Sequence, residues 1–168
     1  MSKSIKIFLF GFFLVGLFGL ASFLEVKAAT TASVAATVTV QNISVSVASG
    51  TVAYGTLAVN TSAGTNPANT QTATNNGNIT ETFNIKGQDS TNWTLGGTAG
   101  ANIYVHKFCT ATCGTPPTNY TALTTNYQTL GTGVTVSGTK TFDLYITTPT
   151  SSTNFTQQSV DVTVQATQ

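Results

Sequence analysis

The sequence predicts an all-β protein, an antiparallel two-sheet sandwich of immunoglobulin-like or jelly-roll type with eight or nine short strands. Three observations carry that reading. Apolar residues recur with period two in several short runs, the runs are separated by Gly, Asn and Pro clusters, and no stretch of the mature chain shows a convincing helical period. The run from Asn75 to Leu95 contains a turn signal at Asn76-Gly77, where positive φ comes with little strain. It continues with the alternation Ile79, Phe83, Ile85 and ends on Trp93, the single tryptophan of the chain, read as bulk for the core.

The first 28 residues are read as a signal peptide. Lys3 and Lys6 form a positive start, Ile7 to Phe23 is almost continuously apolar, and Val26-Lys27-Ala28 offers small residues around a cleavage point. The mature domain then covers residues 29–168. An uncleaved anchor is the alternative, because the run approaches the length that crosses a bilayer core of about 30 Å. No later stretch is apolar enough to span a membrane. A secreted or cell-surface location follows.

Along the mature chain, Thr37 to Val47 places Val38 and Val40 on one phase and Ile43, Val45 and Val47 on the other, which predicts a strand bulged at Gln41-Asn42 and closed by Ser49-Gly50. Val52 to Val59 reads as a second strand, with Gly55 marking a bulge or a close backbone approach. Asn60 to Asn69 has loop composition, and Thr70 to Thr74 reads as a short polar strand. Ile103 to Phe108 is a strand with Tyr104 and His106 opposite Ile103 and Val105, ended by the cysteine loop and Pro116-Pro117. Tyr120 to Leu130 fits either type of element, and its β-branched threonines favour strands. Phe142, Leu144 and Ile146, then Val160, Val162, Val164 and Ala166, give two one-sided strands at the end of the chain.

Charged residues make up 7% of the chain and none of them is arginine. Past the signal segment, Lys86, Lys107 and Lys140 face Glu81, Asp89, Asp143 and Asp161. This argues against nucleic acid and against an anionic membrane surface, both of which select clustered cations. The polar coat is Thr, Asn, Ser and Gln. Sequons at Asn42, Asn60, Asn78, Asn92, Asn119 and Asn154 are mostly explained by that composition, which alone produces about four of them, so they are weak evidence for glycosylation.

Cys109 and Cys113, placed behind an export signal, predict a local disulfide whose short ring contributes only about 2 kcal/mol. A metal site using His106 with these cysteines lacks a fourth ligand. His106 is also the one histidine available as a catalytic base, and no nucleophile pattern accompanies it, so no catalytic residues and no cofactor are assigned. Asp143 and Asp161 form a candidate calcium pair if their strands are neighbours. Trp93, Tyr104 and Tyr145 are candidate carbohydrate-stacking residues, with cross-strand packing as the competing role.

The stretches Ile43-Ser44-Val45-Ser46-Val47, Tyr54-Gly55-Thr56-Leu57 and Asn75-Asn76-Gly77-Asn78-Ile79 resemble β-sandwich modules of secreted prokaryotic cell-surface proteins, over most of residues 36–95. The resemblance implies a structural or adhesive role. Trp93-Thr94-Leu95 with Tyr54-Gly55 is similar, more weakly, to the WxL cell-wall-binding domain, although the second such motif expected near the C-terminus is missing. The expected function is a non-catalytic structural module of the envelope or extracellular matrix. The alternatives are a module binding cell-surface carbohydrate or peptidoglycan, and a subunit of an extracellular filament built by β-strand addition. The expected partners are accordingly the chain itself, other envelope proteins or cell-surface polysaccharide. For the N-terminal extended segment, a place in its own sandwich is favoured over donation to a neighbour.

Overall fold

The alternation that dominates the sequence becomes strand in the computed structural model, which describes residues 30–48, 50–66, 68–114 and 118–168. The signal segment, Ser49 and Pro116-Pro117 lie outside the described residues. The chain divides after Val38, and the unit from Thr39 to Gln168 carries all the strands found among the described residues. In chain order these are β1 (Val45–Ala48), β2 (Ser62–Gly64), β3 (Gln71–Asn75), β4 (Glu81–Lys86), β5 (Thr94–Leu95), β6 (Ile103–Cys109), β7 (Thr121–Ala122), β8 (Gln128–Val134), β9 (Thr139–Thr147) and β10 (Thr163–Thr167). Helix is absent among the described residues. The ten strands counted here exceed the expected eight or nine, because very short pairings such as β2, β5 and β7 do not stand out in the sequence.

One sheet has seven strands, ordered β1-β3-β9-β6-β5 with β2 beside β9 and β7 beside β6, and the other has three, ordered β10-β4-β8. Pairing is antiparallel except between β5 and β6. Ala73, Phe108, Phe142 and Leu144 from the large sheet meet Phe83, Ile85, Leu130 and Val134 from the small one, with Leu123, in one core where each is no more than 8% exposed. This is the arrangement of a β-sandwich.

The Asn76-Gly77 signal acts differently from expectation. β3 and β4 belong to different sheets, so the chain crosses between them and makes no hairpin. Gly77 also lacks positive φ, which among the described glycines belongs to Gly50, Gly55 and Gly133. Its requirement is room: a Cβ there would stand 2.5 Å from the Asn42 carbonyl oxygen and collide with the Glu81 carboxylate. Asn75 holds the crossover. Buried to 1% exposure, it accepts the Gly77 N–H at 2.8 Å and donates from Nδ2 to the carbonyls of Ile79 (2.8 Å) and Val134 (2.9 Å).

Other expectations are corrected as well. Of the first expected strand, Thr37 to Val47, only Val45 to Val47 joins a ladder, antiparallel to β3 and extended by Ala48, and no bulge forms at Gln41-Asn42. Val52 to Val59 forms no ladder, because Gly55 at φ 73° breaks the extended run, and that glycine meets no close neighbour. Val52 and Tyr54 still pack against the core. The Asn60–Asn69 loop contains β2 and the buried Thr65. Thr70 to Thr74 does become β3, with alternate residues fully buried. Tyr120 to Leu130 resolves into β7 and the start of β8, as its threonines indicate. Trp93 is half-buried and stands outside the shared core, immediately before the edge strand β5.

Candidate functional site

β6 decides where most of the chemistry sits. Both parities of Ile103 to Phe108 contain apolar residues, so the inward face is ambiguous in sequence. Phe108 pairs with Leu144 and both enter the core, which turns Tyr104 and His106 inward as well. Tyr104 is 1% exposed and its hydroxyl donates to the Gln88 carbonyl. The candidate stacking role for Tyr104 is therefore corrected: the ring is part of the interior and offers no face to a sugar.

His106 is 3% exposed, with Nε2 2.8 Å from the Tyr54 hydroxyl and the two rings edge to face, centroids 5.7 Å apart. Nδ1 is buried and has no partner among the described residues. Burial lowers the histidine pKa from 6.5 to about 4 and raises that of the Tyr54 hydroxyl well above 10, so both are neutral at pH 7. The row continues from His106 to Tyr104 and on to Trp93, with successive centroids 6.3 Å apart, and the Trp93 indole donates to Ser152 Oγ at 2.9 Å. The Tyr54 end of the row also packs against the shared core.

Tyr145 lies on the opposite face of the large sheet. It pairs across β9 and β6 with Lys107, on the parity opposite Phe108. Half-buried there, it packs against Tyr120 with centroids 5.7 Å apart. Trp93 and Tyr104 are thus brought together, while Tyr145 is separated from both, and the three make no common platform. Burial first, and then the nearby Asp143 charge, raise the Tyr120 pKa.

The candidate calcium pair is not assembled. Asp143 is in β9 of the large sheet, whereas Asp161 precedes β10 of the small one and is exposed. Asp143 is also not outward in the expected sense, since loop residues cover it: it is 6% exposed and accepts the Thr70 hydroxyl at 2.6 Å and, more weakly, the Thr65 hydroxyl at 3.4 Å. No cluster of three metal-ligating side chains exists among the described residues. Cys109 and Cys113 stand at disulfide distance, Cα to Cα 5.7 Å, at the end of β6 beside this region.

Sequence reasoning missed Glu81. It occupies the inward phase of β4 with Phe83 and Ile85 and is 1% exposed. Its Oε1 accepts the Ser44 N–H at 2.9 Å, and Oε2 has no partner among the described residues. Around it the Asn76 N–H donates to the Ser44 carbonyl (2.8 Å), Asn42 and Asn78 exchange two bonds (2.8 and 3.1 Å), and Asn78 Nδ2 donates to the Val40 carbonyl (2.8 Å). Together these tie Val40 to Ser44 along the crossover, just before β1 begins. The available signal was a carboxylate interrupting the apolar phase Ile79, Phe83, Ile85. No protein-family model, curated protein or solved structure matches this chain.

Proposed function

We propose that the chain is an exported, non-enzymatic structural module of the cell envelope or extracellular matrix, its sandwich of immunoglobulin-like or jelly-roll type. The observation that carries this reading is the engagement of the one histidine: His106 is closed inside the sandwich against Tyr54 and held neutral, which makes it part of the packing. Asp143 is likewise bound by threonine hydroxyls. The export signal, the disulfide-spaced cysteines and the weakly charged, Thr-rich coat support the same reading.

A second reading, a binding module for cell-surface carbohydrate, rests on the half-buried Tyr120–Tyr145 pair beside Asp143, where an aromatic face and a carboxylate are close together. Fractionation with N-terminal sequencing, combined with a peptidoglycan and glycan pull-down of the exported chain, separates the two. The structural reading expects cleavage near residue 28 and no saturable binding. Saturable binding lost in Tyr145→Ala or Trp93→Ala, with the melting curve kept, would overturn it in favour of the carbohydrate module. Turnover of a hydrolysable substrate that is lost in His106→Ala would overturn both.

A further inference from the structure

We propose that the segment from Ala32 to Val40 is a donor strand that completes the sandwich of a second copy of this chain by adding to the free edge of β10. The proposal rests on the structural-module reading and gives that module its partner.

The donor is built as a strand without a ladder. Ala32, Val34, Ala36, Val38 and Val40 share one parity, alternating with Ser33, Ala35, Thr37 and Thr39. Val34, Val38 and Val40 are 94%, 91% and 82% exposed, and residues 30–44 have no strand pairing among the described residues. Isolated exposed valines are ordinary, but a row of them on one strand parity marks an interaction surface. The change of phase between Val40 and Val45 then has a physical meaning. Val45 and Val47 pack on the chain's own core, whereas the earlier set is left for another.

The acceptor is the side of the sandwich where the two edge strands meet. β1 ends the large sheet, β10 ends the small one, and they lie against each other. Val45 and Val47 of β1, Val162 just before β10, and Val164 and Ala166 within it touch the core but remain only half-buried, while Phe83, Ile85, Leu130 and Leu144 are 4% exposed or less. β10 pairs with β4 on one side, and its other edge has no strand on it among the described residues. A strand added there satisfies that edge and lays its valines over the half-covered residues. Edges are ordinarily guarded by charge. Here no charged residue occurs between Lys27 and Glu81, or after Asp161, so neither surface repels the other.

The root favours a second copy over the chain's own β10. The bonds from Asn76, Asn78 and Glu81 hold Val40 to Ser44 along the crossover. Val34 to Gln41 contains none of the residues that favour a turn, glycine, proline, asparagine, aspartate or serine, with which to reverse direction. Nine extended residues reach about 30 Å, more than the length of a five-residue edge. Because donor and acceptor are different surfaces, the contact is head-to-tail and propagates without closing.

The test uses the exported, processed chain and its Val38→Asp variant, by sizing and electron microscopy, with melting curves to show that both are folded. The wild-type chain is expected to form linear polymers and the variant to remain monomeric at the same melting temperature. A synthetic peptide spanning Thr30 to Asn42 is expected to shorten the wild-type polymers. A wild-type chain that is monomeric at every concentration, or a variant that assembles as the wild type does, overturns strand addition. An exported monomer leaves the structural-module reading standing, whereas a chain retained in the cell with residues 1–28 attached defeats that reading whatever its state of assembly.

Discussion

Acidification from pH 7 to pH 4 is expected to remove about 3 kcal/mol of folding stability through His106 alone. Burial lowers the folded-state pKa from 6.5 to about 4, so between those values the unfolded chain binds a proton that the folded chain does not. The sign follows: the contribution is fully present above pH 6.5, falls as pH drops toward 4, and changes little below that. A loss of about 3 kcal/mol is large against the 5–15 kcal/mol of a typical domain. Urea unfolding at a series of pH values measures it. In His106→Gln, which keeps a polar partner for Tyr54, the difference between pH 7 and pH 4 is expected to shrink by about that amount. An unchanged pH profile in the variant would place the histidine in solvent.

Phe83→Ala is expected to destabilise the domain by about 3–5 kcal/mol. Phe83 is 0% exposed at the centre of β4, the middle strand of the small sheet, and it contacts the core residues of both layers. On its β8 side the ladder is irregular and Phe83 stands opposite Gly131, so no large neighbouring side chain is present there to close the cavity. The control is Phe155→Ala, where the ring is 85% exposed and the change is expected to stay within about 0.5 kcal/mol. Chemical denaturation of the two variants decides it. Equal effects would mean that the two sheets do not share this core.

Strands with one apolar phase were readable in advance. Phe83 and Ile85, Phe142 and Leu144, and Val162, Val164 and Ala166 all point inward as their alternation requires. The reading failed where both phases carry apolar residues. In Ile103 to Phe108, Ile103 and Val105 compete with Tyr104 and Phe108, and only pairing with β9 shows that Tyr104 and His106 are interior. It failed again where a side chain does what backbone usually does: Asn75 and Glu81 bind the backbone of the crossover and of the incoming segment, which composition does not show. The Val38/Val45 phase change was visible, but alternation alone favoured a bulge in the chain's own strand over donation of the segment, and residues 30–44 enter no strand. The distance between Asp143 and Asp161 depended on sheet membership, which alternation leaves open.

Residue-resolved hydrogen exchange on the processed chain, first as dilute monomer and then under assembling conditions, is the most direct test of the claim that Val40 divides a donated segment from the chain's own strand. Protection is expected at Val45–Ala48 in both states, because β1 pairs with β3. The amides of residues 32–40 are expected to exchange freely in the monomer and to become protected together with β10 on assembly. Protection of residues 32–40 in the monomer, or its absence in the assembled state, would contradict the account.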